Sequence, residues 1–227
     1  MSVEPSVLAG LPDWLHPLAE GVSEVEDLHL SPRLPSPPAD ARQSAVLMLF
    51  GEGERGPDLL FTERSARMRS HAGQVSFPGG RRDPGDVDEA ATALREAQEE
   101  VGLDPAAVHV FGDLPPLWLP PSNSAVTVVL GYAPSSTPVH IASPAEVASV
   151  FRTPLADLLD PERRFTVRGP SGWRGPGFRV GDGLTLWGFT AGVVARLFSH
   201  VGWEREWDQS RLEPYPRPPA GARQENQ

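Results

Sequence analysis

The chain has 227 residues, 39% of them apolar, with a formal charge of -10 and no cysteine. That length supports one substantial buried core with extensions rather than two full domains. Disulfides and thiolate metal sites are excluded, and no basic stripe is present of the kind a general nucleic-acid binder needs.

Along the chain, DWLHPLAEGV (13 to 22) has apolar residues at helical spacing and predicts a short N-terminal helix despite Pro17. RLPSPPADAR (33 to 42) reads as a Pro-rich linker. SAVLMLF (44 to 50) and DLLFTER (58 to 64) are apolar runs on either side of a turn-rich segment and predict a strand pair. VDEAATALREAQEEVG (87 to 102) predicts the clearest helix, with Asp86 available as N-cap and Gly102 at its end. Strands are expected at AVHVFGDL (107 to 114), SAVTVVLGYA (124 to 133) and PVHIA (138 to 142), and helical pieces at PAEVASVFRTPLADLLD (144 to 160), broken at Pro154. FTVR and LTLWG then read as strands, and FTAGVVARLFSHVGW (189 to 203) as a closing helix. The expected organisation is an N-terminal extension (1 to 42), a folded body (43 to 207) and a disordered Pro-rich tail (208 to 227), in an α+β class with a mixed sheet. MSVEPSVLAG lacks both parts of a signal peptide, and no run of about 18 apolar residues occurs, so the expected setting is cytoplasmic, with no membrane partner.

On a helical wheel Glu96, Glu99 and Glu100 fall within about a third of the circumference, with Ala90, Leu94, Ala97 and Val101 opposite. Such a stripe is commonly a solvated face. Here the like charges repel and the helix has no lysine to compensate them, which suits a divalent cation completed by water and phosphate oxygens. Arg95, four residues before Glu99, can orient a carboxylate, and the paired glycines in FPGG allow a close backbone approach.

Gly80, Asp86 and REAQEEVGL (95 to 103) together resemble the Nudix box: Gly, five residues, Glu, seven residues, then Arg-Glu-apolar-any-Glu-Glu-any-Gly-apolar. The second half matches throughout; in the first half Asp86 fills the leading Glu slot, and eight residues rather than seven separate it from Arg95, which makes it a cap or loop-fixing residue rather than a ligand. The resemblance implies an α/β/α sandwich around a mixed β-sheet and hydrolysis of a nucleoside diphosphate linked to another moiety. It implies Glu96, Glu99 and Glu100 as ligands of Mg2+ or Mn2+, Arg95 as the orienting arginine, and either Glu99 or Glu146 as general base.

TERSARMRSHAGQVSFPGG (62 to 80) is similar to the segment before the box in coenzyme A pyrophosphatases, including Arg64, Arg69, Gly79 and Gly80, which are therefore expected at the substrate. Arg64, Arg67, Arg69 and His71 put local positive charge beside the acidic helix, suited to a substrate with an extra phosphate, although surface ion pairing is the plainer use of such arginines. LWGFTAGVV (186 to 194) resembles that subfamily's last helix, with Trp187 expected in the core; Trp118 is the expected stacking ring. The implied activity is cleavage of coenzyme A or its thioesters. ADP-ribose or a dinucleotide is the alternative substrate, and a non-catalytic nucleotide sensor the alternative of another class. A small nucleotide-type molecule is the expected partner, and homodimerisation is left open.

Overall fold

The computed structural model describes residues 5–22, 36–68, 70–134, 136–169, 172–214 and 216. The chain opens with α1 (Pro5–Leu8), a 3-10 turn (Asp13–Leu15) and α2 (His16–Val22). Pro17 falls in the first turn of α2, where its missing N–H breaks no helical bond. β1 (Arg42–Gly53) and β2 (Gly56–Arg64) form the expected hairpin, followed by two short strands, β3 (Val75–Ser76) and β4 (Gly79–Arg81). α3 (Glu89–Val101) leads to β5 (His109–Asp113), β6 (Leu117–Leu119) and β7 (Ser124–Tyr132). Then come β8 (Val147–Pro154), α4 (Leu155–Leu158), β9 (Arg164–Arg168), β10 (Arg174–Val180), β11 (Leu184–Leu186), α5 (Gly188–His200) and β12 (Leu212–Pro214).

Among the described residues the strands form a mixed eight-stranded sheet, β3-β2-β1-β7-β5 with β4 on β1, β6 on β7 and β8 on β2, and a second sheet ordered β11-β10-β9-β12. β1 and β7 run parallel. One face of the large sheet (Ala45, Leu47, Leu49, Leu60, Val129) is covered by Ala93, Ala97 and Val101 of α3. The other face (Met48, Phe50, Leu59, Phe61, Val128, Leu130) packs against Ala191, Val194 and Leu197 of α5 and against Leu15, Leu18 and Val22 of the N-terminal segment. The α/β/α sandwich expected from the sequence is the architecture found. Among the described residues no helix is long and apolar enough to cross a membrane.

One edge of β1 is shared. Ser44–Val46 pairs with β4, Phe50–Gly53 pairs with β2, and between them the Leu47 N–H is taken by the Pro78 carbonyl at 2.8 Å. FPGG is thus the crossing by which the chain leaves the edge of β2 for that of β1. Gly79 sits there at φ +155, and a Cβ on it would strike Ala45 O and Val46 Cα. Only glycine suits a positive φ with backbone that close.

Four expectations are corrected. Asp88, not Asp86, caps α3, its side chain accepting the Ala91 N–H at 2.7 Å. PVHIA is not a strand: the N–H groups of His140, Ala142 and Ser143 turn instead to the carbonyls of Val101 (2.9 Å) and Glu100 (3.0 and 3.3 Å) at the end of α3. The stretch expected as helical from 144 is mostly β8, whose Val, Phe and Thr residues suit a sheet; Phe151 registers with Phe61, and Arg152 pairs with Asp58 at 2.7 Å. Leu212–Pro214, inside the expected tail, pairs with β9 and is tied by Glu213 to Arg179, so ordered chain continues beyond 207.

Candidate active site

α3 presents its carboxylates at the fork between β2 and β4. Glu100 is almost fully buried. Its Oε2 accepts the Gly79 N–H at 3.1 Å, and Arg64 Nη1 lies 4.0 Å from its Oε1, an ion-pair distance without a hydrogen bond. Burial pushes this carboxyl up to about 7, with Glu96 and Glu146 adding repulsion against the opposing pull of Arg64 and Gly79. Glu96, one turn earlier, is also raised, by burial first and by the charges of Glu99 and Glu146, while Arg95 pulls the other way. A Cβ on Gly80 would lie 2.5 Å from the Glu96 carboxylate. The two glycines therefore seat the two carboxylates, one by an N–H and one by the lack of a side chain.

Arg95, at mid-helix, is the hub of a second group of contacts. Its Nε donates to Asp86 Oδ1 and its Nη2 to Asp86 Oδ2, both at 3.0 Å, and Nη2 also donates to the Arg81 carbonyl at 2.9 Å. Nη1 holds Glu96 at 3.0 Å and Glu99 at 3.3 Å. All five guanidinium donors are engaged, so this arginine braces carboxylates rather than reaching for substrate. Asp86 further accepts from Thr92 Oγ1 and the Asp83 N–H, both at 2.9 Å, and its carboxyl is held well below the usual range, chiefly by Arg95. The shorter side chain in the leading slot reaches the arginine from a loop one residue longer; it fixes the loop, as its mismatch to the box had suggested.

The sequence-derived residues divide accordingly. Glu96, Glu100, Arg64, Gly79 and Gly80 come together. Glu99 points outward, its side chain 59% exposed and bound to Arg95. Glu146 lies in the turn before β8, not at a helix start, with its charge felt by both Glu96 and Glu100. Arg69 lies outside the described residues. Arg67 and His71 are exposed on the loop that begins at Arg64. Trp118 is half-buried in β6 and donates to Asn123 Oδ1 at 3.2 Å, and Trp187 is half-buried at the start of α5 rather than in the core.

Among the described residues no three His, Asp or Glu side chains form a ready metal cluster, so a closed cage of three glutamates is not preformed. The donor chemistry still fits a hard divalent cation. Glu96 and Glu100 are partly or wholly buried carboxylates that repel each other, and Arg64 compensates Glu100 only at the limit of ion-pair range. Sequence reasoning missed the contribution of the main chain here, above all the Gly79 N–H; the glycine pair was its only trace.

A NUDIX domain family profile matches residues 40–170, more than half of the chain. The chain belongs to the Nudix family. It is 42% identical over 177 residues to the uncharacterized Nudix hydrolase NudL of Citrobacter koseri, covering 76% of this chain and 90% of that protein. The NudL proteins of Cronobacter sakazakii and of Escherichia coli strain K12 / DH10B are 41% and 40% identical over the same coverage. Nudix hydrolases cleave nucleoside diphosphates linked to another moiety and generally use divalent cations. The box-like pattern from Gly80 to Leu103 lies within the matched region.

Proposed function

We propose that this Nudix hydrolase cleaves the pyrophosphate of coenzyme A or acyl-coenzyme A, giving 3',5'-ADP and 4'-phosphopantetheine or its acyl derivative. The observation that carries the reading is the segment from Thr62 to Gly80. It resembles that of coenzyme A pyrophosphatases, and it sets Arg64 4.0 Å from the buried Glu100 while Arg67 carries positive charge outward along the same loop. An acidic chain with this local cationic run suits a substrate bearing phosphate beyond the bridging pair.

In this reading Glu96 and Glu100 hold Mg2+ or Mn2+, which when bound neutralises pyrophosphate charge and polarises a water. Arg95, itself fixed by Asp86, keeps the Glu96 carboxylate in one direction. Arg64 offers donors to a phosphate oxygen. Glu146 takes the proton of the attacking water as the new P–O bond forms and the bridging P–O bond breaks. Glu99 was the competing base, but its engagement by Arg95 favours Glu146. The retained box carboxylates argue against a sensor that binds without cleaving.

The test is product analysis by mass after incubation with coenzyme A, dephospho-coenzyme A and ADP-ribose, each with Mg2+ and with a chelator. Metal-dependent release of 3',5'-ADP from coenzyme A, slower release of 5'-AMP from the dephospho substrate, and loss of both in Glu100→Gln are expected. Cleavage of ADP-ribose alone would sink the substrate assignment and leave the hydrolase reading standing.

A further inference from the structure

We infer that residues 140–146 form a backbone strap that positions Glu146 relative to Glu100; this rests on the reading of Glu146 as base. Its links are direct. The N–H groups of Ala142 and Ser143 donate to the Glu100 carbonyl at 3.0 and 3.3 Å. The N–H groups of Glu146 and Val147 both turn back to the Ser143 carbonyl, at 3.0 and 2.9 Å. The Glu146 carbonyl accepts the Ser65 N–H at 2.7 Å, and Arg64, the residue before, faces the Glu100 carboxylate. Starting from the main chain of Glu100, the path therefore returns to the side chain of Glu100 through the strap and the end of β2.

Two features make this more than an ordinary docked loop. First, Glu146 is an exposed residue whose backbone is nevertheless fixed at both its N–H and its carbonyl, which leaves only side-chain rotation free. A proton acceptor needs that degree of placement, since misplacement of about 1 Å can cost about 10²-fold in rate. Second, the strap brings a third negative charge toward Glu96 and Glu100, an arrangement that side-chain forces alone oppose. The carbonyls at the end of α3, left without helical donors, supply the attachment that overcomes this repulsion. The strap is also anchored at its start, where the His140 N–H reaches the Val101 carbonyl at 2.9 Å and its ring covers Gly102.

The experiment inserts one glycine between Pro144 and Ala145, alone and combined with Glu146→Gln, with a control insertion between Asp182 and Gly183 in the β10–β11 turn. Amide hydrogen exchange at Ser65 and Glu146, thermal midpoint, kcat and KM are read for each. The strap insertion should speed exchange at both amides and lower kcat about tenfold or more. KM should stay within about twofold, the midpoint should fall by no more than about 2–4 °C, and the control should change nothing. Because the strap acts through Glu146, the insertion should cost no further rate in the Glu146→Gln background. Losses that multiply, or a full kcat with the exchange accelerated, overturn the inference. If Glu146→Gln alone keeps full kcat, the base assignment falls; an insertion that is still slow then shows the strap acting on another group, and the inference falls separately.

Discussion

Two neighbouring groups on α3, one around Arg95 and one around Glu100, are built on opposite principles. The five donors of Arg95 are all engaged, by Asp86, Glu96, Glu99 and the Arg81 carbonyl, and Asp86 is stabilised in its charged form. Glu100 is buried with one backbone N–H and a distant arginine, and its charged form is penalised. A saturated arginine makes a scaffold. An under-compensated carboxylate retains affinity for a cation, so the same helix carries a brace and, beside it, a binding group.

The sharpest way to break this contrast is Glu100→Gln. Activity should fall about 10³-fold, as when a group acting directly on transition-state charge is removed, while the metal-free protein becomes more stable because a buried charge is gone. Mn2+ should raise the thermal midpoint of the parent chain and leave that of the variant nearly unchanged. Loss of stability together with activity would place Glu100 among the scaffold groups and end the distinction. In the Arg95 group, Asp86→Ala should reduce kcat about 10- to 100-fold, the range for groups that orient the ligands of a metal site. It should also weaken the fold, because Arg95 loses two of its partners' hydrogen bonds. Equal activity of Asp86→Ala and parent would show that Arg95 holds Glu96 without help.

The two groups should also differ in the sign of their pH response. Glu100 has its folded pKa raised from 4.5 to about 7, so its contribution to stability is fully favourable below about 4.5 and is lost as pH rises to about 7. Asp86 has its pKa lowered from 3.8, so its contribution is present above that value and is lost as pH falls further. Denaturant titrations of metal-free protein across this range should show a decline between about pH 4.5 and 7 that Glu100→Gln reduces, leaving the contribution of Glu96. A second loss, at the acid end, should be smaller in Asp86→Ala. A decline that persists unchanged in Glu100→Gln would assign it to another group.

The helix and its chemistry were legible because side chains carry them. Ala90, Leu94, Ala97 and Val101 repeat at helical spacing, though the structure buries Ala93 more fully than Ala90 and Leu94, and the order of Arg95, Glu96, Glu99 and Glu100 is a pattern in residue types. The strap was not legible, because it acts through the N–H groups of His140, Ala142 and Ser143, which every residue but proline possesses. PVHIA has the composition of a strand, and only the unsatisfied carbonyls at the end of α3 decide where its donors go. β8 was misread for a related reason: its Ala and Leu neighbours suggest a helix until Phe151 and Arg152 find Phe61 and Asp58 across the sheet. Wheel geometry likewise grouped Glu100 with Glu96 and Glu99, although it lies at the margin of the buried stripe, where a small rotation separates an exposed carboxylate from a buried one.

The smallest effects separate the paired glycines. Gly79→Ala places a methyl group against the backbone of β1 at φ +155, where neither side can yield, so it should cost about 2 kcal/mol or more in stability. Gly80→Ala meets first the Glu96 carboxylate, the end of a flexible side chain, which can swing aside. Stability should then change by less than about 1 kcal/mol. The displaced carboxylate should lower kcat about tenfold, and its Mn2+ affinity should fall in parallel. Chemical denaturation and Mn2+ titration of the two variants read these outcomes apart. A Gly80→Ala protein with parent-like Mn2+ affinity would mean that Glu96 needs no fixed seat, and that the bracing by Arg95 and Asp86 serves the fold alone.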